Sequence, residues 1–113
     1  MLTGQDNFIY ESFLLGAEGA LLGFATLGTR EHVEMLDAIR RCDFATAQTL
    51  GQRLQALADV VFAPPVTDYR ARTKEALHMM GIIDHTVVRA PLLSINDAER
   101  ENVKRALQHA GML

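Results

Sequence analysis

Cysteine is nearly absent from this chain: Cys42 stands alone. A disulfide within the chain is therefore excluded, and a structural zinc site has too few thiolates to draw on. Cys42 ends a stretch of helical pattern with no histidine close by, so it reads as a buried or semi-buried, inert thiol. A surplus of positive charge is also missing. Eleven Lys and Arg face fourteen Asp and Glu, for a net charge of −3, whereas nucleic-acid binding needs a basic patch or stripe. Long hydrophobic runs are missing too. The most apolar window, Phe13 to Leu27, is interrupted by Gly16, Glu18, Gly19 and Gly23 and is too short to span a bilayer. The opening residues Met1–Asp6 carry neither the basic nor the apolar region of a secretion signal. The expectation is a soluble, cytoplasmic protein with no nucleic-acid and no membrane partner.

What is present is an ordinary globular mixture. Of the 113 residues, 49% are hydrophobic and 22% charged, enough to fold around a small core rather than stay disordered. Asp6 is placed to cap a first helix over about residues 7–15, stopped by Gly16. Phe8, Phe13, Leu14 and Leu15 spread apolar groups over more than half of its circumference, so it is either deeply buried or part of an interface. Gly19–Thr26 is a short apolar run between glycines, the pattern of a strand buried on both faces, with a helical state as the alternative.

Thr29 is placed to cap a second helix over 30–42, with Val33, Leu36 and Ile39 on its apolar side. Asp43 caps the third and longest helix, 44–62. Its stripe of Phe44, Ala47, Leu50, Gly51, Leu54, Leu57, Ala58 and Val61 is the clearest period in the sequence, and Pro64-Pro65 ends it. Asp68 introduces a fourth helix over 69–80, with Gly81 as its stop. A connector over 82–91 holds a short extended piece, Thr86–Val88. Asn96 and Glu99 have capping-box spacing for a last helix to Ala110, followed by Gly111 and Met112 as a Schellman ending requires. The chain is mainly α, with one orphan strand whose partner must come from elsewhere.

No constellation in this pattern points to a reaction. His32, His78, His85 and His109 show no metal-ligand spacing. Glu31, His32 and Glu34 fall on a predicted wet face and read as ordinary surface groups. The glycines do not form a dinucleotide fingerprint, and Ser12 and Ser94 have no nucleophile-elbow context. Lys74, between Arg72 and Glu75, and Lys104 read as solvated or ion-paired rather than as Schiff-base lysines, which need a desolvated pocket.

The order of motifs does carry a resemblance. Gly4-Gln5-Asp6, a helix, then Gly16-Ala17-Glu18-Gly19-Ala20-Leu21-Leu22-Gly23 resemble the seventh and eighth strand regions of the dihydrodipicolinate synthase and N-acetylneuraminate lyase family. Further matches are the long helix from Asp43, then Lys74-Glu75-Ala76-Leu77 before Gly81-Ile82-Ile83, then Arg89-Ala90-Pro91-Leu92. The terminal Arg105–Leu113 run completes the set, so the resemblance covers essentially all 113 residues.

It implies the C-terminal part of a TIM (β/α)8 barrel, about strand 8 onward, plus a three-helix C-terminal subdomain. Residues 1–42 would be the terminal βα units and 43–113 the helical subdomain. A whole barrel takes about 250 residues, so the resemblance is to the end of one.

The family's chemistry is that of a pyruvate-dependent lyase working through a lysine imine. Lys74 matches a subdomain lysine rather than the imine-forming one, and Tyr10 and Tyr69 do not match the catalytic tyrosine. The implied function is therefore a C-terminal fragment or short paralogue of a class I aldolase-type lyase, inactive alone and needing no cofactor.

The residues carried over lie at the rim of the site: Gly4, Gln5, Asp6 and Asn7 in the turn after strand seven, Leu21 beside the imine, and Gly23 where sugar-acid lyases have serine. The implied partners are a second copy in a homo-oligomer, and pyruvate or another 2-oxo acid only if the barrel is completed. The alternative is a non-catalytic helical oligomerisation or regulatory partner of a full-length family member.

Overall fold

The computed structural model describes residues 1–113. Its elements are β1 (Leu2–Thr3), α1 (Ile9–Leu14), β2 (Gly19–Ala20), α2 (Thr29–Arg40), α3 (Phe44–Val61), α4 (Tyr69–Met79) and α5 (Asp97–His109). Single 3-10 turns cover Phe24–Leu27 and Val66–Asp68. The chain divides into two compact units, 1–55 and 56–113. No helix is long and apolar enough to cross a membrane.

In the first unit β1 and β2 run parallel, with Leu2 opposite Gly19 and Thr3 opposite Ala20. Parallel neighbours need a long crossover, and the segment 4–18, carrying α1, supplies it. The strand expected at 19–26 thus has a partner within its own chain, the two residues of β1. It is also far shorter than expected, and it is not buried on both faces: the Leu21 side chain is 83% exposed. The ladder stops because the backbone turns helical at Gly23 (φ −68°, ψ −38°) and enters the 3-10 turn. The helical alternative is realised in that second half.

Helix α1 buries Ile9 and Phe13, four residues apart, and leaves Phe8, Leu14 and Leu15 exposed. Its start lacks a side-chain cap, so Asp6 does not have the capping role expected of it. The Ser12 hydroxyl instead bonds Phe8 O at 2.7 Å. Thr29 does not cap α2 either. It is the first helical residue, and its hydroxyl donates back to Ala25 O.

The buried side of α2 is His32, Met35 and Ala38, while Val33 is exposed. The helix is rotated by about one residue from the expected apolar stripe, because His32 turns inward to Gly28 O and Phe24. The wet-face reading of His32 is overturned for the same reason.

Helix α3 follows its sequence stripe. Ala47, Leu50, Leu54, Leu57, Ala58 and Val61 are buried, and Asp43 Oδ1 accepts the Thr46 N–H at 3.2 Å. Phe44 is the exception, half exposed at the first turn.

In the second unit α4 and α5 pack through Ala71, Ala76, Val103 and Leu107, all buried. Asp68 precedes α4 without a side-chain cap. The capping box of α5 is complete: Glu99 N–H donates to Asn96 Oδ1 at 2.8 Å and Asn96 N–H to Glu99 Oε2 at 3.4 Å. The apolar positions Val103, Ala106, Leu107 and Ala110 then follow helical spacing into the core. The extended piece expected at Thr86–Val88 forms no strand.

Four helices close in Schellman turns, at Gly16, Cys42, Gly81 and Gly111, all with positive φ. Cys42 is the one non-glycine among them, at φ 61°. It is exposed, which corrects the expectation of a buried thiol. A C′ residue projects past the helix end, away from the stripe that enters the core.

Candidate functional site

The residues singled out from the sequence gather where the chain leaves the two parallel strands. Parallel α/β folds place ligands outside the carboxyl ends of their strands, where the loops are free to vary. After β1 comes the turn 4–8, closed by Phe8 N–H to Gln5 O at 3.3 Å. The Gln5 N–H also reaches the Thr3 hydroxyl at 3.3 Å. After β2, the Leu21 N–H donates to Thr3 O at 2.9 Å, one step beyond the ladder.

One bond ties the two strand ends together. The half-buried Asp6 carboxylate accepts the Phe24 N–H at 3.0 Å through Oδ1. Its partner lies 18 residues on in the chain. Phe24 opens the 3-10 turn, so its N–H has no partner in the preceding turn, and an anionic acceptor suits such an N–H. Gly4 lies against Leu21, since a Cβ built on it would stand 3.8 Å from Leu21 O. Gly23 precedes Phe24 and accepts the Thr26 hydroxyl at 3.0 Å.

The structure thus brings Gly4, Gln5 and Asp6 beside Leu21 and Gly23, and Asn7 is in the same turn. What gathers is an exposed set of backbone groups, an amide side chain at Gln5 and one carboxylate. Such a set can bind and orient hydroxyl or carbonyl oxygens, but it holds no nucleophile and no base placed for proton transfer.

Lys74 and Lys104 belong to the second unit. The Lys74 ammonium donates to Val87 O and Lys104 is exposed. No group of three His, Cys, Asp or Glu is placed to hold a metal.

Sequence reasoning missed two members of the neighbourhood. The first is the Phe24 N–H, which carries no sequence signal. The second is His32, buried behind Phe24 with ring centroids 5.7 Å apart. Its spacing of three and six to Met35 and Ala38 was the available clue. Burial holds the His32 imidazole below its ordinary pKa, although the Gly28 carbonyl, Glu31 and Asp6 pull the other way.

The sequence profile of the Dihydrodipicolinate synthetase family matches residues 1–110. The chain belongs to this family. It is 30% identical over all of its 113 residues to the 4-hydroxy-tetrahydrodipicolinate synthase of Escherichia coli O139:H28. It spans 38% of that relative's length.

Two solved family members superpose on nearly the whole chain. The dihydrodipicolinate synthase of Bacteroides thetaiotaomicron is 27% identical, with a TM-score of 0.83 over 96% of this chain and 37% of its own. The chloride-inhibited synthase of Acinetobacter baumannii, complexed with pyruvate, is 28% identical, with a TM-score of 0.77 over 99% and 37%. These neighbours are TIM barrels, and a mainly helical dihydrodipicolinate synthetase family chain with a small parallel sheet agrees with a part of one.

Proposed function

We propose that these 113 residues are the C-terminal segment of a pyruvate-dependent, class I aldolase-type lyase. In this reading β1 and β2 are the ends of the seventh and eighth barrel strands. Residues 1–42 are the terminal βα units and 43–113 the helical subdomain. Gly4, Gln5, Asp6, Asn7, Leu21 and Gly23 form one arc of the substrate rim. The observation that carries this reading is the Asp6–Phe24 bond. It fastens the loops after two adjacent parallel strands to each other on the side where barrel enzymes bind substrate.

The rim orients the substrate, and the imine-forming amine must come from another part of the barrel. Taken alone, the segment is inactive, has no cofactor, and works in the cytoplasm away from membranes and nucleic acid. Pyruvate or another 2-oxo acid becomes its ligand only in a completed barrel.

Complementation tests this directly. The chain is co-expressed with the part of the B. thetaiotaomicron synthase that precedes the superposed region. Pyruvate-dependent condensation should appear for the pair, absent from either piece alone, and Asp6→Ala should reduce it. A co-purified pair without activity would sink the proposal. Borohydride trapping of the isolated chain with pyruvate should leave Lys74 and Lys104 unmodified. An adduct on either lysine overturns the inactive reading.

Leu2 in β1 and Leu21 just after β2 are exposed, as are Phe8 and Leu15 at the two ends of α1. Single exposed apolar residues are normal, but the open edges of a two-stranded ladder invite a partner. The proposed assembly is a homo-oligomer, so light scattering at micromolar concentration should give a dimer or larger. A monomer that instead binds a purified full-length family member would favour the second reading, a helical regulatory partner.

A further inference from the structure

His32 has no task in the rim as described, yet it is buried, with 6% of its surface exposed. Its Nδ1 lies 2.6 Å from Gly28 O. A carbonyl can only accept, so Nδ1 carries the proton and the neutral ring presents Nε2 as a bare acceptor. That Nε2 is buried without a hydrogen-bond partner. One edge of the ring meets Phe24 at an interplanar angle of 80°. The ring also lines a cavity of about 170 Å³. The walls contributed by other elements are Phe13 of α1, Ala20 and Leu22 at β2, and Ala25 of the 3-10 turn. None of these titrates. The charged groups that act on the ring are Glu31 on its own helix and Asp6 in the turn after β1.

We propose that His32 is an acid-sensitive clasp on the strand-end turn: a proton taken up from solvent at Nε2 releases Phe24–Gly28 and, with it, the Asp6–Phe24 bond.

The imidazolium has two N–H donors, and Gly28 O serves one of them. The second would be a buried, charged and unpaired donor, which is costly. Two movements relieve it. The ring can leave its cavity for water, which removes its contact with Phe24. Alternatively it can turn toward the Asp6 carboxylate, which then no longer holds the Phe24 N–H alone. In both cases the amide that joins the two strand ends loses its protected bond.

The sense of the linkage follows from burial, which lowers the ring's affinity for protons in the closed form below the ordinary 6.5. The open form binds the proton more readily, so opening is favoured as pH falls below that value. The clasp governs the order of the turn whatever chemistry the rim performs. It therefore stands or falls separately from the lyase reading.

Amide hydrogen exchange on the isolated chain tests it. The protection factor of the Phe24 amide should fall by about tenfold or more between pH 7 and pH 5 in the wild type. In His32→Gln, which cannot take up the proton, it should stay level over the same range. A level profile in the wild type, or an equal fall in His32→Gln, overturns the proposal. The other three histidines, His78, His85 and His109, lie in residues 56–113 and are untouched by the substitution.

If His32→Gln does not fold, ring NMR of the wild type decides. One shared midpoint below 6.5 for the His32 ring shift and the Phe24 protection supports the clasp. Separate midpoints, or a midpoint at or above 6.5, overturn it.

Discussion

Arg72 and Glu99, 27 residues apart in sequence, meet at a single carboxylate oxygen. Arg72 Nε lies 3.2 Å and Nη2 2.8 Å from Glu99 Oε1. The other oxygen of Glu99 is engaged in the capping box of α5. The remaining Arg72 nitrogen, Nη1, donates to the carbonyls of Val61, Ala63 and Pro65. Val61 ends α3, where carbonyls lack partners within the helix. One guanidinium, 3% exposed, therefore closes the end of α3 and fastens α4 to the start of α5. Arg100 and Glu75 form a second link between α4 and α5, with contacts of 3.2 Å on both carboxylate oxygens.

Removing that guanidinium should be expensive. Arg72→Met leaves buried carbonyls without donors and Glu99 without its cation, a loss of about 3–5 kcal/mol. Arg72→Lys should recover only part of it, because a single ammonium cannot reproduce the fork. Urea denaturation followed by circular dichroism gives both values. A loss below about 1 kcal/mol for Arg72→Met would place the network outside the stabilising interactions.

The same contact predicts an acid limb of stability. The Arg72 hydrogen bond holds the Glu99 carboxyl below its ordinary 4.5. Asp43 is lowered in the same sense by its bonds from Thr46. The folded state then binds fewer protons than the unfolded one. This stability is complete above the unfolded value and drains away as pH falls through the folded one. Denaturation midpoints should therefore drop between pH 5 and pH 3, and Glu99→Gln should flatten that slope while lowering stability at neutral pH. A slope unchanged by Glu99→Gln would assign the acid limb to other carboxylates.

Cys42 offers a gain. Its N–H bonds Ile39 O at 2.9 Å and the Asp43 N–H bonds Ala38 O at 2.8 Å, a Schellman turn that puts a side chain in the left-handed region. That conformation costs a non-glycine residue about 1–2 kcal/mol, against about 0.5–1 kcal/mol for the extra chain entropy of glycine. Cys42→Gly should therefore stabilise the chain by about 0.5–1 kcal/mol, seen as a higher melting temperature. Cys42→Ala should bring no such gain.

Gly51 carries the opposite expectation. It is buried in α3, and a Cβ there would stand 3.0 Å from both Cβ and Cγ of Tyr10. Alanine brings about 1 kcal/mol of helix propensity, but overpacking costs about 1–3 kcal/mol. The Tyr10 Cβ is fixed to its backbone and cannot swing aside, so the clash should win and Gly51→Ala should lose about 1 kcal/mol. Gln52→Ala, one residue on and exposed, is the control and should be neutral or slightly stabilising.

Some of this protein is written locally. The stripe of α3, the Asn96–Glu99 capping box and the glycine stops at Gly16, Gly81 and Gly111 each arise from hydrogen bonds or periodicity within a few residues. They could be read directly from the letters. The resemblance implied a substrate rim at Gly4–Asn7, Leu21 and Gly23, and the structure shows Gly4 and Asp6 lying against the residues after β2.

What the tertiary structure alone decided are the groups whose partners lie far along the chain. Asp6 looked like a helix cap and became an anchor for Phe24. His32 looked wet and was drawn inward by Phe24. Arg72 and Glu75 drew no reading of their own from the sequence, and α5 supplies their partners, Glu99 and Arg100. A buried charge such as that of Arg72 needs a partner to offset its desolvation, and the sequence distance to that partner, Glu99, is set by how helices pack rather than by the spacing of residues along one helix.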